Sequence, residues 1–295
     1  MRACKWVDEV VEGAPYSTQL SYLEKYNCDF CVHGDDLVLT SEGEDTYAEV
    51  KKAGKFVTVK RTEGVSTTDL VGRMLLLTKS HHKTARDDTS IMSAVPEVHL
   101  QEAKSYTRVS HFLPTSRRIV QFSEGLSDPK PGDKIVYIDG GFDLFHVGHI
   151  AALREAKALG DYLVVGVHTD EDINKVRGAN HPVMNLHERT LGVLSCRYVN
   201  EVVIGAPWVI TKGMLEQMKI NLVVTGTVRT DHVEDDCYAV PKQMKIFHQI
   251  NSPSSITTND IIDRILANYS SYEARNKKKE AKEAKIIEEN EKNAK

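Results

Sequence analysis

Two histidines three residues apart, His146 and His149, lie in the run Gly140-Gly141-Phe142-Asp143-Leu144-Phe145-His146-Val147-Gly148-His149. A β-branched run precedes the glycines and an apolar periodic run follows the histidines, so the segment reads as strand, turn and helix start. At that spacing both imidazoles share one face of the helix's first turn. A helix start exposes free N–H groups and a positive field, which suits phosphate. Imidazoles placed there can hydrogen-bond phosphoryl oxygens as charge develops. Gly148 is expected to let a nucleotide approach closely, and Gly140 and Gly141 to let the backbone turn beneath it. The bland alternatives are a zinc site or two structural histidines. Zinc needs a third and a fourth ligand, and none clusters nearby in sequence.

A second candidate is the run from Arg61 to Thr68, Arg-Thr-Glu-Gly-Val-Ser-Thr-Thr. A guanidinium, a glycine turn and a Ser66-Thr67-Thr68 helix start together make a triphosphate clamp, with charge from Arg61 and hydrogen bonds from hydroxyls and N–H groups. Read in isolation it could be only a helix cap.

The elements that must position these groups are repeated along the chain. Cys4 to Pro15 (CKWVDEVVEGAP) lies over Cys196 to Pro207 (CRYVNEVVIGAP) at an offset of 192. The same offset places Asn27 to Gly34 over Lys219 to Gly226, and Arg61 to Thr68 lies over Asn251 to Thr258 at an offset of 190. The second copy is expected to hold strands at Lys134–Ile138, Tyr162–Val167, Glu201–Ile204, Asn221–Thr225 and Lys245–Gln249. Its helices are expected from His146 or Val147 to Leu159, from the Asn185 cap to Tyr198, over Met214–Met218 and over Asn259–Ala267. Asn185 with Glu188 three residues on is a capping box. Strands alternating with helices imply a parallel doubly wound sheet, with ligands at the strands' carboxyl ends.

The first copy is expected to keep only strands near Asp8–Val11, Asp29–His33 and Phe56–Lys60 and a helix from Thr68 to about Leu77. About sixty residues of the second copy have no partner in the first; their counterparts would lie upstream of Met1. Apolar faces of the remaining strands are then left uncovered unless something else packs there. The expected division is therefore 1–80 for a truncated first domain, 81–133 for a linker, 134–268 for a complete second domain and 269–295 for a charged helical tail.

Composition excludes several classes. With 41% apolar and 27% charged residues in 295, the chain is ordinary globular material and not a collagen, a disulfide scaffold or a disordered polymer. No run approaches the roughly 18 apolar residues of a membrane span, and the N-terminus has no signal-peptide core. A net charge of −4 gives no electrostatic reason to expect nucleic acid. Five scattered cysteines suggest reduced thiols and a cytoplasmic protein. Cys28-Asp-Phe-Cys31-Val reads as a buried strand with core cysteines, although its spacing also resembles a redox or zinc pair.

The run from the GxFD turn to His-x-Gly-His, with Arg61-Thr-x-Gly-x-Ser66-Thr67-Thr68 elsewhere, resembles the cytidylyltransferases of the nucleotidyltransferase superfamily. The tandem layout resembles the ethanolamine-phosphate branch more than the choline-phosphate or glycerol-phosphate enzymes. The resemblance extends over Lys5–Pro15, His33–Asp36, Gly64–Met74, Asn185–Pro207 and Tyr272–Ala284. It implies an α/β architecture of tandem Rossmann-like nucleotidyltransferase domains with parallel sheets, the first truncated. It implies transfer of a cytidylyl group from CTP to phosphoethanolamine in phospholipid synthesis, usually with Mg2+, and without a covalent enzyme intermediate. Carried onto this sequence, His146 and His149 are catalytic. Gly141, Phe142, Val147 and Gly148 border the nucleotide, and Lys175 or Arg177 reaches its phosphates. Thr225 and Gly226 border the base or ribose; Ser254, Thr257 and Thr258 hold phosphates. Arg189 binds substrate phosphate or makes a structural salt bridge. Arg61, Ser66, Thr67 and Thr68 form the remnant clamp of the first copy.

The sequence also departs from that pattern. Asn251 stands where the first copy has Arg61, and the first copy has no His-x-Gly-His, so neither copy holds a complete set. A nucleotide-binding but non-catalytic form, and the choline-phosphate enzyme, are the alternatives; homo-oligomerisation stays open.

Overall fold

The computed structural model describes residues 1–35, 38–40, 44–60, 67–76, 114–178, 180–227 and 236–268, with 271 and 274. Arg61, Ser66 and most of the expected linker and tail therefore lie outside the described residues. The chain divides into two compact units, Asp8–Thr67 and a larger one comprising Met1–Val7 with Thr68–Lys295. The boundary of the smaller unit thus falls at 67, ahead of the expected 80.

The smaller unit carries α1 (Leu20–Lys25), β1 (Cys31–Gly34), α2 (Ala48–Lys52) and β2 (Phe56–Val59). The strand expected at Asp8–Val11 is not formed. The two strands pair in parallel with Cys31 opposite Phe56. Cys28 and Phe30 are exposed and Cys31 is half-buried, so the expected core strand of cysteines is corrected. Val32, Val57 and Val59 are also exposed.

The larger unit contains α3 (Thr67–Leu76), α4 (Pro114–Phe122), β3 (Ile135–Gly140), α5 (Val147–Ala158), β4 (Tyr162–His168), α6 (Asp170–Arg177) and α7 (Leu186–Leu194). It continues with β5 (Glu201–Ala206), α8 (Lys212–Gln217), β6 (Leu222–Gly226), α9 (Ala239–Gln243), β7 (Phe247–Ile250) and α10 (Thr258–Ala267). Its five strands are all parallel, in the order β5-β4-β3-β6-β7. The expected alternation of strands and helices is observed, with ends shifted by one to a few residues. Helix α4 lies within the stretch expected to be linker and packs on α7. Trp6, at the chain start, meets Phe122 of α4 edge to face, with ring centroids 4.8 Å apart.

The repeat is visible in strand register. Val223 lies opposite Phe247 in the β6–β7 pair, as Cys31 lies opposite Phe56 in β1–β2. In the second copy β6 also pairs with β3, and Val224 is fully buried in the core under that layer. Val32, at the equivalent place, is 47% exposed because among the described residues of its unit no such layer covers it.

Two cores lie on opposite faces of the large sheet. One packs Val136, Ile138, Leu163 and Val165 against Leu153 and Ala156 of α5 and Val193 of α7. The other gathers Tyr137, Val164 and Val223 with Ile210, Leu215 and Tyr238. Gly166 has no room for a side chain, since a Cβ would sit 2.2 Å from the Tyr137 hydroxyl. A third cluster joins Met74 of α3 to Leu144, Val183 and Ile262. Helix α3 is further tied by an ion pair of 2.7 Å between Arg73 Nη1 and Glu188 Oε2. No helix among the described residues is long and apolar enough to cross a membrane.

Candidate active site

The order β4-β3-β6 reverses the direction of chain progression between β3 and β6, and such a switch point leaves a crevice at the strands' carboxyl ends. Here the crevice is a solvent-open cleft with a cavity volume of about 150 Å3. It is bordered by Gly141 and Phe142 after β3, His146 and His149 at the start of α5, Arg177 at the end of α6, Thr225 and Gly226 at the end of β6, Ser254 and Thr257 before α10, and Thr258 at its first position.

The turn after β3 differs from expectation. Gly140 remains in the strand, opposite Val167, and neither glycine takes a positive φ. The left-handed residues are Phe142 at φ 50° and Leu144 at φ 49°. A bulky residue tolerates that conformation only when its surroundings over-determine it. Phe142 is buried in the core, Leu144 is covered by the Met74 cluster, and Asp143 between them is held on three sides. Asp143 Oδ1 accepts from the Leu144 and Met184 amides at 3.0 and 2.9 Å, and Oδ2 accepts from the Val183 amide at 2.8 Å.

His146 is the N-cap of α5 and His149 its third residue. His146 Nδ1 accepts from the Gly148 amide at 3.1 Å; His149 Nδ1 accepts from the His146 amide at 3.4 Å. With both Nδ1 atoms accepting, the neutral rings carry their protons on Nε2. The rings stack with centroids 3.8 Å apart. His146 Nε2 lies 3.5 Å from the Thr258 hydroxyl, which donates to the Asp143 carbonyl at 3.0 Å. Gly148 borders the cleft and is also closely packed. A Cβ there would lie 2.5 Å from the Ile256 carbonyl oxygen and 2.9 Å from the His146 ring. Its missing side chain admits the loop before α10, which brings Thr257 and Thr258 to the histidines.

Both imidazoles are held neutral. Burial lowers the His146 pKa, and burial, His146 and Arg177 together push His149 down to about 3. Between pH 6.5 and that value the unfolded chain binds a proton that the folded chain does not. This contribution to stability is therefore intact above pH 6.5 and is lost as pH falls, at about 1.4 kcal/mol per pH unit for one proton. Urea unfolding from pH 7.5 to 5 is expected to show decreasing stability, with a shallower slope in His149→Asn. An equal slope in that variant would assign the acid sensitivity elsewhere.

Arg177 borders the cleft, whereas Lys175 is exposed and pairs with Glu171 at 3.3 Å. Val147 is 57% exposed and does not border the cleft. Arg189 is fully buried. Its Nη1 donates to the Gly141 carbonyl at 2.6 Å, its Nη2 to the His168 carbonyl at 2.7 Å and Asp170 Oδ1 at 2.6 Å, and its Nε to the Met184 carbonyl at 3.0 Å. Of the two readings of Arg189, this geometry is that of the structural salt bridge. Thr257 caps α10 in a capping box with Asp260. Thr67 and Thr68 lie in α3; Arg61 and Ser66 of the same candidate clamp are not described.

One corner of the cleft contains residues the motif reading did not single out. Asp139, at the end of β3, accepts a 2.6 Å hydrogen bond from the Tyr238 hydroxyl. Trp208 has a buried indole N–H with no hydrogen-bond partner and lies against His168, ring centroids 4.7 Å apart. His168 Nδ1 bonds the Ala206 carbonyl at 3.1 Å, which leaves Nε2 as an acceptor. A carboxylate beside aromatic rings is chemistry that suits a cation. The carboxylate just before the glycine pair was the one available sequence signal. Trp208 and Tyr238 reach it only through tertiary folding. No cluster of metal-ligating side chains occurs among the described residues.

The Cytidylyltransferase-like family model matches residues 1–73 and 137–276. The chain is 54% identical over 292 residues to ethanolamine-phosphate cytidylyltransferase of Dictyostelium discoideum, covering 98% of this chain and 81% of that one. It is 48% identical to the Mus musculus protein of the same name, covering 98% of this chain and 77% of that one. Choline-phosphate cytidylyltransferase A of Homo sapiens is 37% identical over 183 residues, covering 61% of this chain and 47% of that one. With strands and helices alternating around a parallel sheet, and with such identity over nearly its full length, the chain belongs to the ethanolamine-phosphate cytidylyltransferase family.

Proposed function

We propose that this chain transfers the cytidylyl group of CTP to phosphoethanolamine, forming CDP-ethanolamine for phospholipid synthesis in the cytoplasm. A phosphate oxygen of phosphoethanolamine attacks the α-phosphorus of CTP, and pyrophosphate leaves with the electron pair of the broken bond. The observation that carries this reading is the stacked, neutral His146–His149 pair, with its Nε2 donors, beside Arg177 and the start of α10. In this reading the imidazole N–H groups and the guanidinium stabilise charge on the transferring phosphoryl group, while α10 holds the polyphosphate. Catalysis is positioning and electrostatics, and no side chain forms a covalent bond to substrate. The corner of Asp139, Trp208, Tyr238 and His168 is suited to the ammonium of phosphoethanolamine, whose three N–H donors can meet a carboxylate and an imidazole nitrogen.

Mg2+ would arrive on the triphosphate, since it keeps much of its water and binds through substrate phosphates. The Asp143 oxygens are already taken by backbone amides, so that carboxylate is not its ligand in this reading. A second reading, nucleotide binding with slow turnover, draws on Asn251, which supplies no charge where the repeat has Arg61. Purified chain given labelled CTP with phosphoethanolamine or phosphocholine distinguishes these outcomes. CDP-ethanolamine as the preferred product is expected. Protection by CTP without product supports the binding form, and preference for phosphocholine overturns the ethanolamine assignment.

A further inference from the structure

Cys4 and Cys196 are equivalent positions of the two repeats, and in the folded larger unit they meet. They form an isolated antiparallel β-bridge. The Lys5 amide donates to the Ser195 carbonyl and the Arg197 amide to the Ala3 carbonyl, each at 2.9 Å. Because the bonds come from the flanking residues, Cys4 and Cys196 are a non-hydrogen-bonded pair, the narrow kind, in which Cα atoms lie about 4.5 Å apart. That spacing is within the range a disulfide spans without backbone movement. The bridge is secured from both sides. Arg197 Nη2 donates to the Cys4 carbonyl at 2.9 Å and to the Val7 carbonyl, and Ala3 packs on the core cluster that contains Cys196.

We propose that Cys4 and Cys196 are a reversible disulfide pair, closed by a low-molecular-weight disulfide such as oxidised glutathione. Their accessibilities assign the order of attack. Cys4 is half-buried and Cys196 buried, so the Cys4 thiolate attacks one sulfur of the oxidant and releases one glutathione thiolate. Cys196 then gives up its proton to solvent. Its sulfur attacks the Cys4 sulfur of the mixed disulfide and releases the second glutathione. Two protein thiols are oxidised and one small disulfide is reduced to two thiols. Burial raises the Cys196 thiol pKa, while the Tyr198 amide and the Arg197 guanidinium act in the opposite direction. The resolving step is therefore the slower one and quickens with rising pH. The cross-link closes a loop spanning most of the chain, which restricts the unfolded ensemble.

The test uses the full chain. After incubation with oxidised glutathione, free thiols are alkylated and peptides mapped by mass spectrometry. The expected product is one peptide pair joined through Cys4 and Cys196, lighter by two hydrogens and returned to free thiols by dithiothreitol. The oxidised chain should also melt at higher temperature than the reduced one. Cys4→Ser, at a half-buried site, should abolish both effects. The double variant Cys28→Ser/Cys31→Ser removes the competing nearby pair and should retain both. Cys4 joined to Cys28 or Cys31, or Cys4 and Cys196 both recovered unpaired from the oxidised folded chain, would overturn the assignment.

Discussion

His146→Ala and His149→Ala are each expected to lower kcat by about 10²–10³-fold, the loss typical for removing one preorganised hydrogen-bond donor. Each ring carries its proton on Nε2 because Nδ1 is occupied by a backbone amide. His149 is the more buried donor, and its replacement also removes the ring stacked on His146, so its effect should be the larger. The helix start loses one capping acceptor in each case, which costs on the order of 1 kcal/mol. Turnover should therefore collapse while the chain still melts cooperatively. Steady-state assays alongside thermal melts separate the two effects. Turnover within tenfold of the parent in both variants would remove these residues from the chemistry.

Arg189→Met is expected to be the most destabilising of the single changes considered, by about 3 kcal/mol or more. Methionine fills much of the volume but supplies no donors, so the Gly141, His168 and Met184 carbonyls lose their side-chain partner in the interior. For a unit of this size the melting temperature should fall by about 6–12 °C. Gly141 and His168 both border the cleft, so KM for CTP should rise as well. Arg189→Lys keeps a charge but cannot span the same acceptors, and should fall between the two. A residue that bound substrate phosphate directly would give the opposite pattern, a raised KM for phosphoethanolamine with an unchanged melting temperature. That pattern would return Arg189 to the substrate site.

Legibility differed from residue to residue for physical reasons. The Asn185–Glu188 capping box was readable because both partners lie within four residues, and both bonds form, at 3.0 and 2.9 Å. The β6 and β7 strands were readable from their own residues, and β6 also from its repeat over Asn27–Gly34. Cys28 and Phe30 were misread as core because apolar character reports what could be buried, not whether another layer is present to bury it. Gly140 falls in β3 rather than in the turn expected of it, for a related reason. A glycine's type shows that a side chain is absent, but what fills the space is set by residues distant in sequence. At Gly148 the space admits the Ile256 carbonyl.

The sequence by itself determined the alternation of parallel strands and helices, the repeat, the helix that begins at the histidines and the family to which these motifs point. The alternation and the helix start depend on periodicity and spacing within short windows of chain; the repeat depends on matching two distant segments, and the family rests on the resemblance of its motifs. Tertiary structure alone decided that Arg177 rather than Lys175 borders the cleft, that Arg189 supports the site from within, and that Asp139 shares a corner with Trp208 and Tyr238. It also decided that Cys4 meets Cys196. Each of those outcomes depends on which remote side chain or carbonyl arrives at a given point. Close packing of the whole unit sets that arrival, and no local pattern encodes it.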